Sequence, residues 1–274
     1  MSAATPVNDA PAAAPSRPRK PPPSPFVIVG LAIAAAITVW AGIGIDFTLL
    51  PLFTDLTRGQ VIIEQFLRPE WAFLLRPAVS AAFLETLYMA ILASLVGCSV
   101  ALVLAMLASK VTAPNTAVYR ITRAVLALIR SLPDVAYGLI FVAVLSIGAL
   151  PGVLALIMFN IGVAAKLTGE TIDSVDRGPV EAVEAAGGSR TQRARWAVFP
   201  QVAPNYLSYC FYVFELNIRA SLVLGIVGAG GIGQLLQTLL ARFQYSQVSA
   251  IVVMLFVVVF VLDQVSRALR RRLT

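Results

Sequence analysis

Long stretches without a single charged side chain dominate this sequence and fix its solvent before anything else. They run from Phe26 to Ile45, Thr86 to Ser109, Val135 to Ala165, Trp196 to Phe214, Ala220 to Ala241 and Phe243 to Leu262. A helix crosses the hydrocarbon of a bilayer with about 20 apolar residues, and each run meets or approaches that length. With 58% hydrophobic and only 13% charged residues, the chain has too little polar surface to clothe a soluble globule. The third run is too long for one span, and the turn signal G-A-L-P-G at 148–152 divides it. Between Trp196 and Ala241, a glycine-rich break at 225–233 leaves room for one full span, from about Pro204 to Leu224. A broken re-entrant or gate segment to about Leu240 and a last helix follow. The expectation is an all-α integral membrane protein of six transmembrane helices.

The basic residues orient it. Arg17, Arg19 and Lys20 precede the first span, Lys110, Arg120, Arg123 and Arg130 follow the second, and Arg190, Arg193 and Arg195 lie in the long connection after the fourth. Arg267 and residues 270–272 close the chain. Cytoplasmic connections carry the excess of Lys and Arg, so these segments share the cytoplasmic side and both termini are expected inside. Residues 46–85 hold three arginines against five carboxylates and are expected outside. Orientation accounts for the net charge of +7 without nucleic acid. Residues 1–25, rich in Ala and Pro, read as a disordered cytoplasmic tail, and 26–274 as the transmembrane domain. The tail lacks a cleavable signal, so the first span is expected to be retained. Cys98 and Cys210 fall inside apolar runs, which argues against a disulfide framework. The chain has no histidine, hence no member of the commonest class of general base and metal ligand.

Gly228, Gly230 and Gly233 stand in the G-x-G-x-x-G spacing of a dinucleotide site. That site needs a strand before it and a ribose-binding acid about 20 residues on. Here the next carboxylate after Gly233 is Asp263, thirty residues later, and the flanks are apolar. A nucleotide cradle is therefore not expected.

The longest cytoplasmic connection, about 174–200, carries E-A-V-E-A-A-G-G-S-R-T-Q-R-A-R-W-A-V-F-P from Glu181 to Pro200. Gly187 and Gly188 interrupt a helix bearing Glu181 and Glu184, and Ser189 with Gln192 has the form of a capping box. A second short helix bearing Arg190, Arg193 and Arg195 is expected, with Pro200 and Pro204 marking its end and the entry to the next span. A basic amphipathic loop on anionic lipid explains the arginines alone. It does not explain Glu181, Gly187 and Pro200 in one register.

In that register the segment resembles the inner-membrane permeases of binding-protein-dependent ABC importers. Their signature is E-A-A, three residues, Gly, nine residues, then I-x-L-P. Glu181-Ala182-Val183, Gly187 and Ala197-Val198-Phe199-Pro200 keep its full spacing, with Val183, Ala197 and Phe199 departing in side chain. Residues 85–107, R-S-L-P-D at 130–134, 155–173 and Y-V-F-E-L-N-I-R-A-S-L-V-L-G-I-V-G-A-G-G-I-G at 212–233 look like the phosphonate-class permease. That likeness covers about Glu85 to Tyr245.

The resemblance implies a permease subunit in the bacterial inner membrane, not catalytic itself, with one N-terminal span added to a five-helix core. Phosphonate is the implied cargo, and phosphate, phosphite or another small oxyanion the alternative. It also implies a second permease copy, two cytoplasmic ATPase subunits holding ATP and Mg²⁺, and an external solute-binding protein. Glu181, Ala182, Gly187, Gly188, Ser189, Arg190, Arg193 and Pro200 would form the ATPase-coupling element. Gly228, Gly230, Gly231 and Gly233 would lie near the outer gate. A lipid-phosphate enzyme would want metal-holding carboxylates that the sequence does not cluster, and a secondary transporter would leave the coupling signature without a purpose.

Glu215 and Arg219 lie four apart on one helical face with Asn217 between them. Intramembrane charges line a pathway or neutralise each other, and both readings stand. Arg130 and Asp134 flank Pro133, where capping or a salt bridge is expected, Lys166 is expected to snorkel, and Glu85 to sit at the outer interface.

Overall fold

A computed structural model describes residues 24–50, 54 and 56–271. The tail expected over 1–25 lies outside the described residues up to residue 23. All regular elements among the described residues are helical: α1 (Pro25–Gly44), α2 (Leu56–Phe66), a 3₁₀ turn (Trp71–Leu75), α3 (Pro77–Leu107), α4 (Thr116–Ser131), α5 (Asp134–Leu145), α6 (Ala149–Asp173), α7 (Arg177–Ala185), α8 (Arg190–Arg193), a π-helical turn (Ala194–Val198), α9 (Phe199–Ile226), α10 (Gly231–Ala241) and α11 (Tyr245–Arg270). The described residues fall into two compact units, divided between Arg58 and Gly59. In the first, α1 starts with proline at its first turn and buries no residue, as suits a helix whose whole circumference is apolar.

The second unit is built on α3 and α6. Small residues recur along α3 at Ala90, Ala93, Gly97, Ala101 and Ala105, all buried. On α6 they are met by Gly152, Ala155, Asn160, Ala164 and Gly169. The matched pairs keep nearly constant register: a Cβ at Gly152 would strike Met89, one at Gly97 would come 2.6 Å from the Cβ of Asn160, and one at Gly169 would lie 3.9 Å from the Ala105 carbonyl. Constant offset along both chains means the two helices run parallel. In lipid, where apolar burial drives little association, such small-residue contact is what lets backbones approach and gain dispersion energy.

Parallel neighbours require the chain to return between them, and α4 and α5 make that return. The pair is bent by 83°. Leu132 is extended (φ −96°, ψ 133°) because Pro133 excludes the helical region for the residue before it. The third expected span therefore needs correction. At 12 residues, α5 reaches about 18 Å against a core of about 30 Å, so it counts as a crossing only together with α4. Among the described residues, five helices are long and apolar enough to cross, six with the bent pair. The division at 148–152 holds, but Ala149 already starts α6 and Pro151 sits in its first turn, where a missing N–H breaks no helical bond. Likewise α3 begins at Pro77, which puts Glu85 inside the helix and not at its start.

Helix α9 runs antiparallel to α6, with the Thr171 and Tyr209 hydroxyls 2.9 Å apart at one end and Ala229 against Gly152 at the other. Across the opposite face, α11 and α10 share an apolar cluster with Phe73 and Val79.

Gly97→Val should wedge α3 from α6 and destabilise the folded chain by about 1–3 kcal/mol. Gly30→Val, with nothing within 4 Å, should change stability by less than about 0.5 kcal/mol. Thermal unfolding of the two variants in nanodiscs measures both; equal midpoints would refute the role given to the α3–α6 contact.

Candidate functional site: coupling element, membrane charges and glycine break

Between α6 and α9 the chain builds a short, rigid two-helix element. Asp176 caps α7 by accepting from the Gly178 N–H at 3.0 Å. The helix ends in a Schellman arrangement: Gly187 N–H donates to Glu184 O and Gly188 N–H to Val183 O, both at 2.9 Å. Gly187 takes φ +75°, a conformation that side chains with a Cβ resist. Ser189 then opens α8 with a complete capping box, its N–H donating to Gln192 Oε1 at 2.7 Å and its Oγ accepting from Gln192 N–H at 3.3 Å. An ion pair between Glu184 and Arg193 closes the two helices over the break.

The element is tied to the membrane helix behind it. Gln201 accepts from the Asp176 N–H at 3.0 Å and donates to the Ala197 carbonyl at 2.7 Å, while Val180, Ala197 and Val198 are buried together. Its outer side is open: Glu181, Ala182 and Arg190 are exposed, and Ala182, Val183, Ala186, Gln192 and the exposed Trp196 line a shallow groove. The structure thus gathers Glu181, Ala182, Gly187, Gly188, Ser189, Arg190 and Arg193 in one place. Pro200 stands at the entry to the next span as expected, but the rest of its expectation needs correction. It does not end the second helix, because α8 passes through the π turn directly into α9, with Pro200 in its first turn and Pro204 inside it. The Phe199 N–H already bonds back to Ala194 O, and the wider turn absorbs the frame shift at the prolines.

Glu215 is buried, with 7% of its side chain exposed. It pairs with Arg219 one turn on, and also with Arg270 of α11 at 3.7 Å. No sequence signal reveals Arg270, which lies 55 positions away. Asn217 faces elsewhere: fully buried, it donates to Ser94 Oγ at 2.8 Å and fastens α9 to α3. The three polar residues are therefore split, one clasp to α3 and one carboxylate held between two arginines. Of the two readings at Pro133, capping or a salt bridge, the described residues contain no Arg130–Asp134 bridge, and Asp134 Oδ1 instead accepts locally from the Val135 N–H at 2.9 Å at the start of α5. Lys166 pairs with Glu170 at 3.8 Å.

The glycines sit at the joint of α9 and α10. Gly228, Gly230 and Gly231 have φ of +92°, +82° and +70°. A Cβ on Gly233 would fall 2.2 Å from the Leu222 carbonyl, and one on Gly230 would fall 2.9 Å from both the Ala149 backbone and Glu85 Oε1. Thr86 accepts one of the free N–H groups at the start of α10, from Ile232 at 2.8 Å. Helices, not strands, flank this break, and it is packed against α3 and α6 with no space for a pyrophosphate.

Gly187→Val should loosen the joint between α7 and α8 and speed hydrogen exchange at the Gly187 and Gly188 amides, and Gly187→Asn, which tolerates positive φ, should retain most of the protection; hydrogen–deuterium exchange of the two variants in nanodiscs reads both. Unchanged protection in the Val variant counts against this geometry. For the charges, Glu215→Gln removes the buried carboxylate that two arginines share and should cost about 1–3 kcal/mol. Arg219→Gln leaves Arg270 beside the carboxylate and removes a side chain already half exposed, so its cost should stay below about 1 kcal/mol. A larger loss of thermal stability for Arg219→Gln than for Glu215→Gln would refute this arrangement.

Comparison with known proteins converges on one family. Residues 101–274 match the family described as "Binding-protein-dependent transport system inner membrane component". The chain is 42% identical over 188 residues to the phosphite transport system permease protein PtxC of Stutzerimonas stutzeri, covering 69% of this chain and 68% of that one. It is 35% identical to the phosphate-import permease protein PhnE of Mycolicibacterium smegmatis over 87% of its own length, which is only 44% of that relative. In fold it is similar to the inward-facing MetNI methionine ABC transporter, with a TM-score of 0.62 at 20% identity over 73% of this chain and all of that one. This chain belongs to the inner-membrane permease family of binding-protein-dependent ABC importers, as a multi-pass helical subunit.

Proposed function

We propose that the chain forms the translocation pathway of an ATP-driven importer of phosphonate, working as a pair of permease copies. Two cytoplasmic ATPases that hold ATP and Mg²⁺ would seat on α7 and α8, and an external binding protein would deliver the cargo. The observation that carries the reading is the element from Asp176 to Gln201, capped at both ends of α7 and at the start of α8 and bonded to the base of α9. A subunit without its own nucleotide site needs such a part to pass ATPase movement to the membrane helices. The apolar groove beside Trp196 offers a seat for a partner's surface. The glycine break between α9 and α10, packed where α3 and α6 meet it, suits a gate that moves when α9 moves.

Phosphite is the second reading for the cargo, supported by the 42% identity to a phosphite permease. The test is uptake of radiolabelled methylphosphonate, phosphite and phosphate by cells expressing the chain with its ATPase and binding protein. Methylphosphonate uptake that requires all three subunits is the expected outcome. Uptake of phosphite or phosphate alone would overturn the cargo assignment. A cysteine at Glu181 should label only from the cytoplasm and one at Arg68 only from outside; labelling of both from one side would overturn the topology.

A further inference from the structure

A cavity of about 70 Å³ lies between α4 and α6, at the end of the second unit that carries α7. Its polar lining is Arg123 and Arg130 from α4 and Lys166, Glu170 and Asp173 from α6. A spacing of seven on α4, and of four and three on α6, places each set on one helical face. Two of the cations have carboxylates nearby, Arg123 with Asp173 at 3.9 Å and Lys166 with Glu170 at 3.8 Å. Arg130 has no ion-pair partner among the described residues, since Asp134 is turned to its own helix start. The lining therefore holds one positive charge in excess. The Arg130 stem is seated on α6, where a Cβ added to Gly162 would lie 2.9 Å from its Cγ.

Guanidinium and ammonium groups around so small a space favour a tetrahedral oxyanion. The two carboxylates then select among such anions. One that keeps a P–OH proton near neutral pH can donate it to a carboxylate, whereas sulfate offers only acceptors and meets repulsion. We propose that this cavity binds a phosphorus oxyanion that retains a P–OH proton, such as hydrogen phosphate or a hydrogen phosphonate. Its place on the transport route rests on the function proposed above, and its binding chemistry does not. Asp173 also accepts from Ser109 Oγ at 2.6 Å and the Lys110 N–H at 3.1 Å, and three residues later Asp176 caps α7. An anion that draws on Arg123 therefore acts on the segment leading into the coupling element.

The test is equilibrium binding of radiolabelled phosphate to the purified full-length chain in phosphatidylcholine nanodiscs, with no binding protein or ATP. Saturable binding that a large excess of sulfate fails to displace is expected. Arg130→Met, which keeps an apolar stem on Gly162, should weaken it about tenfold or more, and Arg130→Lys should restore most of it. No saturable binding, unchanged binding in Arg130→Met, or displacement by sulfate as effective as by phosphate would each overturn the site. A lipid phosphate could supply the same anion, so the measurement is repeated in phosphatidylglycerol nanodiscs: unchanged phosphate affinity supports the free anion, and its loss overturns the assignment in favour of a headgroup. Oxyanion uptake by the assembled transporter, measured in parallel, separates the two readings: uptake without this binding retires the cavity alone, and binding without uptake retires the proposed function alone.

Discussion

The close approach of two parallel helices, α3 and α6, is the contact on which the other features rest. Small side chains at Ala90, Ala93, Gly97, Ala101 and Ala105 let the backbones meet, and the constant register carries from Met89 against Gly152 to Ser109 against Asp173. Because the helices are parallel, the chain has to cross back between them, and the sharp Leu132-Pro133 bend makes the return with one amphipathic and one apolar helix. The bend also presents Arg123 and Arg130 to α6. A basic cavity thus follows from the topology as much as from the side chains.

Around this pair, polar contacts act as clasps between helices. Asn217 joins α9 to Ser94, Thr86 receives the start of α10, and Tyr209 meets Thr171. A membrane helix has few alternatives for such groups, since an unpaired polar atom in hydrocarbon is costly. Glu215 shows the same economy with charges: its burial is tolerated because Arg219 and Arg270 reach it from two helices. That arrangement makes it a structural centre joining α9 to α11, the long helices before the glycine break and after α10.

The coupling element differs in kind. It holds its shape by backbone geometry, with Gly187 at positive φ, a Schellman end and a capping box in succession, and it needs little burial to do so. In the coupling role proposed for it, rigidity set by hydrogen bonds leaves the outer face to a partner, while Gln201 and the buried Val180 and Val198 join the element to α9.

The sequence by itself determined what each segment responds to locally. Uncharged runs marked the membrane helices, because lipid exposure demands an apolar length and nothing more specific. Gly187, Ser189 and Gln192 marked the coupling turn, because caps act over three or four residues. Distant partners were not legible. Arg270 beside Glu215, Thr86 beneath Ile232, Gln201 on Asp176 and the split between Asn217 and its charged neighbours depend on which helix faces come together. The short α5, the early start of α3 and the passage of Pro200 into α9 were likewise decided by packing. Hydropathy reports how a segment partitions between water and lipid, but the register between two helices is set by the fit of their side chains, and only the tertiary structure contains that fit.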